Sequence, residues 1–105
     1  RRLELLLIAP ASMNTIGRLA HGITEDVITL TAAGIPPRGI PRILAPSMNA
    51  AMWSQASTQR NLKLLQEDEW LVLPPDEGMQ ACQTTGPGRL PEPEKLLRVI
   101  SDHLI

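Results

Sequence analysis

The chain predicts an α/β fold built on a parallel sheet. Three short aliphatic runs, "LELLLIAP", "PRILAP" and "WLVLPP", each close on proline, which cannot donate to a strand ladder. Between them lie stretches whose apolar residues recur at helical spacing. Strands that alternate with helices in this way favour a parallel sheet with helices packed on its faces. No linker-like segment divides the 105 residues, so residues 1–105 read as one domain with a core that is adequate but not generous.

Taken in order, Leu3 to Ala9 is almost continuously aliphatic, as in a strand covered on both faces, and Pro10 ends it. In "NTIGRLAHG", Ile16, Leu19 and Ala20 fall on one helical face, with Gly22 as the stop. "TEDVITLTAAG" gives a second helix, with Thr24 as the expected N-cap and Gly34, Pro36 and Pro37 as terminators. Ile43, Leu44 and Ala45 form the body of the second strand. From Asn49 to Glu69 the residues favour helix, broken near Ser57, with Leu62 and Leu65 as its stripe. Trp70 opens the third strand. "GMQACQTTGPGRLPEP" reads as loop from its Gly and Pro content. "PEKLLRVISDHLI" closes the chain as an amphipathic helix, with Leu96, Leu97, Ile100 and Leu104 expected to face inward.

Composition narrows the function. Ten basic against eleven acidic side chains leave a net charge of -1, so there is no electrostatic footprint for nucleic acid or an anionic membrane. Two Trp are the sole aromatics, which argues against a base-stacking platform. The longest apolar run is far too short to span a bilayer, and nothing reads as a signal peptide. A single cysteine, Cys82, forms no internal disulfide and cannot hold zinc alone; no metal site is expected, and the cytoplasm is the natural compartment. The chain opens on Arg1 rather than Met, almost directly at a strand, and is read as part of a longer fold.

In open α/β sheets, ligands collect outside the carboxyl ends of the strands. That edge is where Pro10 to Thr15, Pro46 to Trp53 and Pro74 to Arg89 are expected to emerge, two of them leading into helix N-termini with unsatisfied N–H groups. Such a rim suits a polar or anionic ligand. Each residue also has an ordinary reading. Asn14 and Asn49 are natural N-caps, Met48, Met52 and Trp53 natural core filler, Cys82 alone an inert small residue, and His21 a structural or solvent-facing histidine.

Three stretches carry a resemblance. "PASMNT" (10–15) resembles the PASANT motif, and "PSMNAAMW" (46–53) the PxMNxxMW motif, of the homo-oligomeric flavin-containing cysteine decarboxylases. "GMQACQTTGPGRLPEP" (78–93) is similar to the Cys-containing loop of the phosphopantothenoylcysteine decarboxylases of coenzyme A synthesis. The resemblance implies a Rossmann-like, flavodoxin-like three-layer fold without its N-terminal portion, binding FMN and decarboxylating 4'-phosphopantothenoylcysteine to 4'-phosphopantetheine. It implies that Pro10, Ala11, Ser12, Asn14 and Thr15 touch FMN, that Asn49 and Met52 hold the substrate, and that Cys82 and Asn49 are catalytic. It also implies trimers or multiples of them, with FMN at subunit contacts, or a complex with a chain carrying the missing segment.

The family's histidine base and phosphate-gripping loop belong ahead of Arg1, and neither role passes to His21 or His103. Met13 replaces a small residue of the motif, Glu25-Asp26 an Asp-Asn pair, and "ACQTTG" the usual Ala-Cys-Gly-Asp. Two other readings stand beside the enzyme: a non-catalytic regulatory or binding subunit of the same fold, and a flavin reductase of the same superfamily.

Overall fold

The computed structural model describes residues 3–36, 39–79 and 85–104. The element order is β1 (Leu6–Ala11), α1 (Met13–Ala20), α2 (Val27–Ala33), β2 (Arg42–Pro46), α3 (Ala50–Trp53), α4 (Ala56–Glu67), β3 (Leu71–Val72), β4 (Asp76–Met79), β5 (Thr85–Arg89) and α5 (Pro93–His103). Strands β1, β2 and β3 form a parallel sheet in that order, while β4 and β5 pair antiparallel as a separate ribbon. The expected α/β class with a parallel sheet is what forms.

Alternation along the strands makes the three layers. Leu6, Ile8, Leu44 and Val72 turn to one face, where Ile16 and Leu19 of α1, Ala32 of α2 and Leu62 and Leu65 of α4 meet them. Leu5, Leu7, Ile43, Ala45 and Leu73 turn to the other, where Leu96 and Val99 of α5 lie. Both faces are apolar, which is why the strands read as unbroken aliphatic runs. The alternation slips once: Ile8 and Ala11, three apart, share a face, and the β1–β2 register shifts between them. The Ala9–Pro10 bond inside that interval is cis.

Several expectations are corrected. β1 starts at Leu6 rather than Leu3 and continues past Pro10 to Ala11, because Pro10 loses a donor without ending the extended path. Thr24 does not cap α2. Asp26 does, accepting from Thr29 N–H at 2.8 Å while Thr29 Oγ1 reaches back to the Asp26 N–H, a reciprocal capping box. The helical stretch after Asn49 breaks at Ser54 and Gln55, not at Ser57. The third strand is short, Leu71–Val72, since Pro74 and Pro75 follow at once. The segment read as loop, 78–93, contains the end of β4 and all of β5. In α5, Leu97 is 63% and Leu104 44% exposed, and Val99 packs in the core with Leu96 instead.

α1 and α4 end alike. After α1, Gly22 has φ +70° and Ile23 N–H reaches Arg18 C=O at 2.9 Å, so the predicted stop holds. After α4, Trp70 N–H reaches Leu65 C=O at 2.9 Å and Glu69 N–H reaches Gln66 C=O at 3.0 Å, with Glu69 at φ 72° in the place where glycine is favoured. Leu65 and Trp70 then meet in the core, so this turn sets the entry of β3.

Two predictions follow from these termini. Glu69→Gly relieves the left-handed backbone and is expected to raise stability by about 1 kcal/mol, read as a higher urea midpoint at unchanged slope. Asp26 has its carboxyl held below the usual range, first by the Thr29 backbone N–H and also by the Thr29 hydroxyl and Arg18, against an opposing desolvation. Its folded pKa is the lower one. Its contribution is therefore full above the ordinary carboxylate value of 3.8 and is lost as pH falls through the depressed native value. Asp26→Asn keeps the cap and should flatten that acid limb in a series of thermal melts.

Candidate functional site

Parallel pairing brings the carboxyl ends of β1 and β2 level. Ala11 pairs with Pro46, and Ser47 N–H donates to Ala11 C=O at 3.1 Å, so both chains leave the sheet side by side. Each then enters a helix through a side-chain cap, but the two similar stretches are capped differently. In "APASMNT" the cap is Ser12, whose Oγ accepts from Thr15 N–H at 3.1 Å and donates to Thr15 Oγ1 at 3.2 Å. In "APSMNAAMW" it is Asn49, whose Oδ1 accepts from Met52 N–H at 2.8 Å. Asn14 therefore lies inside α1, uncommitted to capping and exposed. Met48 is buried in the core, whereas Met13 is half-buried.

Asn14 and Met52 converge. They line one depression of about 590 Å³ with Met13, Gly17, Arg18, His21 and Ile23. Positions 14, 17, 18 and 21 follow a single face of α1, and Met52, 38% exposed, closes the depression from α3. Trp53 is half-buried against the core. Asn49 does not line the depression but sits one helical turn from Met52, at the start of the same helix. Ser12 is exposed and Thr15 half-buried beside it. Pro10 is exposed, while Ala11 has no accessible surface and supports the rim from beneath. Cys82 lies outside the described residues; α3 is in contact with β5, one of the strands flanking it in sequence.

Since Oδ1 of Asn49 takes the Met52 N–H, the amide orientation is fixed and its Nδ2 keeps both donors for another acceptor. His21 is occupied by a 2.9 Å contact from Nε2 to Asn61 Oδ1, as suits the structural reading. Among the described residues, no group of three or more His, Cys, Asp or Glu is arranged to hold a metal ion. No described helix is long and apolar enough to cross a membrane.

Two supports were not legible in sequence. Arg18 Nη1 pairs with Asp26 Oδ2 at 2.7 Å, joining α1 to the cap of α2 across the Gly22 turn. Thr58, fully buried, donates to Met52 C=O at 2.7 Å and pins the α3–α4 corner. A threonine near a helix start carries no marker of such a long-reaching contact.

An α/β sheet with polar, helix-starting loops at the carboxyl ends of adjacent strands defines a ligand-binding domain of the nucleotide- and flavin-binding class. The chain belongs to the flavoprotein family, whose description matches residues 1–105. It is 37% identical over 100 residues to the coenzyme A biosynthesis bifunctional protein CoaBC of Bacillus subtilis, covering 95% of this chain and 24% of that protein. It is 33% identical over 104 residues to a probable phosphopantothenoylcysteine decarboxylase of Streptococcus mutans, covering 99% of this chain and 58% of that one. Among solved structures, a PPC decarboxylase mutant complexed with pantothenoylaminoethenethiol superposes with a TM-score of 0.88 at 31% identity, over 92% of this chain and 53% of that chain. The FMN-dependent cysteine decarboxylase SpaF gives 0.71 at 35% identity, over 95% and 50%. The chain thus spans less than two thirds of each of these proteins.

Thr58→Val removes the hydroxyl and leaves the Met52 carbonyl with only its longer bond, from Gln55 N–H at 3.3 Å. We expect a loss of about 0.5–1.5 kcal/mol in urea unfolding, with increased mobility of the Met52 methyl in NMR relaxation.

Proposed function

We propose that this chain supplies the strand-end loops of an FMN-dependent decarboxylase acting on 4'-phosphopantothenoylcysteine in coenzyme A biosynthesis, working as a homo-oligomer. The observation that carries the reading is the convergence of Asn14 and Met52 on one depression, with the Asn49 amide fixed beside it. The names of the similar proteins point the same way.

The donor set fits FMN. The α1 N-terminus presents the Met13 and Asn14 N–H groups, which have no acceptor within the helix, beside the Ser12 hydroxyl and the exposed Asn14 amide. Met13 and Met52 add polarisable apolar surface for a flat ring. Ser12, Asn14 and Thr15 would hold the group, with Pro10 at the rim. When bound, FMN supplies the electron acceptor for oxidation of the thiol-bearing carbon of the substrate.

The residues of the chain bind and orient. The two Nδ2 hydrogens of Asn49 hold the substrate carboxylate. A neutral amide grips that carboxylate less firmly than a cation would, so the ground state is not overstabilised against loss of carbon dioxide. Met52, held through Thr58, covers the reacting end and excludes water. Cys82 is assigned a helping part, as the proton source, when the two electrons taken up by the flavin are given back to the decarboxylated product.

Asn49→Asp tests the assignment. Aspartate caps a helix as well as asparagine does, so α3 persists, but the donors are exchanged for a negative charge facing the carboxylate. In the longest polypeptide that carries this sequence, reconstituted with FMN, turnover should fall at least ~100-fold while flavin absorbance and affinity change little. Equal loss of flavin and turnover would contradict the role given to Asn49; absence of any bound flavin in the unsubstituted protein would overturn the whole reading.

A further inference from the structure

α3 starts at the Asn49 cap and carries Met52, yet it is a single turn of four residues, too short to hold its own direction. Its start is fixed by the bond from Met52 N–H to Asn49 Oδ1. Its end is fixed from outside, because Met52 and Trp53, the last two residues of the helix, have carbonyls with no partner within it. Two consecutive residues of α4 meet them: Thr58 Oγ1 donates to Met52 C=O at 2.7 Å, and Gln59 Nε2 donates to Trp53 C=O at 2.7 Å. Consecutive carbonyls lie about 100° apart around a helix axis, so a single side-chain bond acts as a pivot while two oppose both tilt and rotation. Thr58 alone is the pivot, and Gln59 makes the pair a clamp. The clamp has a firm base: Gln59 N–H donates to Gln55 C=O at 3.1 Å in the first turn of α4, and α4 is held to the sheet by Leu62 and Leu65, both buried.

We propose that Gln59 is a positioning residue: by holding the Trp53 carbonyl it sets the direction of α3 and, through it, the aim of the Asn49 amide donors. The inference rests on the carboxylate-binding role proposed for Asn49. Because Asn49 Oδ1 is bonded to Met52 N–H, its Nδ2 turns with the helix, and any swing of α3 carries both donors away from their target. Gln59 does not line the depression that Met52 closes; it acts only through the backbone of α3. Its side chain is exposed, so replacing it opens no cavity in the core. The consequence is selective. Without the clamp, a ligand that carries a carboxylate loses affinity while one that lacks the carboxylate does not, whereas a general loosening of the fold weakens both.

The test uses the longest polypeptide that carries this sequence, with FMN added, and two probes. One is 4'-phosphopantothenoylserine, in which a hydroxyl stands in place of the thiol so that binding is read without turnover; the other is the same compound without its carboxylate. Calorimetric titration gives the ratio of their affinities, at a pH where histidine is neutral. Gln59→Met removes the donor at similar length and without a charge, and should lower the preference for the carboxylate probe at least ~10-fold while flavin affinity changes little. Gln59→His returns a neutral N–H at a similar reach and should restore most of that preference. Gln66→Met, on the same exposed face of α4 two turns further on, should leave it unchanged. The proposal is overturned if the unsubstituted protein shows no preference for the carboxylate, if Gln59→Met leaves the ratio as it was or weakens both probes equally, if Gln59→His restores nothing, or if Gln66→Met has the same effect as Gln59→Met. Failure of the decarboxylase reading shows separately, as no turnover of 4'-phosphopantothenoylcysteine, and a ratio that still responds to Gln59→Met in that case upholds the positioning role.

Discussion

The pairing of β1 with β2 is the constraint from which the rest follows. Because the two strands run parallel and Ala11 is matched to Pro46, both chain exits lie on one edge, and the helices they start are neighbours from the outset. An antiparallel pair would have sent the two motif-bearing loops to opposite ends. Sheet direction alone therefore turns residues 38 positions apart, Asn14 and Met52, into walls of one depression. The aliphatic side chains that secure the pairing on both faces contribute to the site without touching it.

Caps convert this proximity into a fixed geometry. Ser12 and Asn49 each absorb an orphan N–H and set the direction of a short helix, and Thr58 locks the second of these from behind. A short helix such as α3, four residues long, has little intrinsic stability, so its persistence rests on these side-chain bonds and on Trp53 at the core boundary. Toward the C-terminal end of α1, the Arg18–Asp26 pair performs a similar joining task between two helices.

The sheet was legible because its signal is coarse: aliphatic runs of strand length separated by helical spacing survive errors of a few residues. Its boundaries were less so. Pro10 looked like an ending, yet the chain stays extended through it, and Thr24 looked like a cap until Thr29 offered Asp26 a reciprocal bond. The ribbon of β4 and β5 was hidden by glycine and proline, whose composition says turn while pairing is decided by a partner strand. Leu97 followed the helical repeat but not the core, because α5 packs on the sheet through Leu96 and Val99. For the site, repetition of Met-Asn after Ala-Pro suggested equivalence; the structure shows that the two asparagines occupy different helical positions. Hydrogen bonds that span several residues, such as Thr58 to Met52, leave no periodic trace.

In the proposed reading Asn49 is engaged twice, by the α3 cap that the structure shows and by the substrate carboxylate, and this narrows what evolution can place there. Aspartate, serine or threonine could start α3 but would bring no pair of amide donors, and glutamine has the donors on an arm one carbon too long to close the cap. On that reading, local chain geometry and molecular recognition draw on opposite ends of a single amide, and a substitution that satisfies one demand forfeits the other.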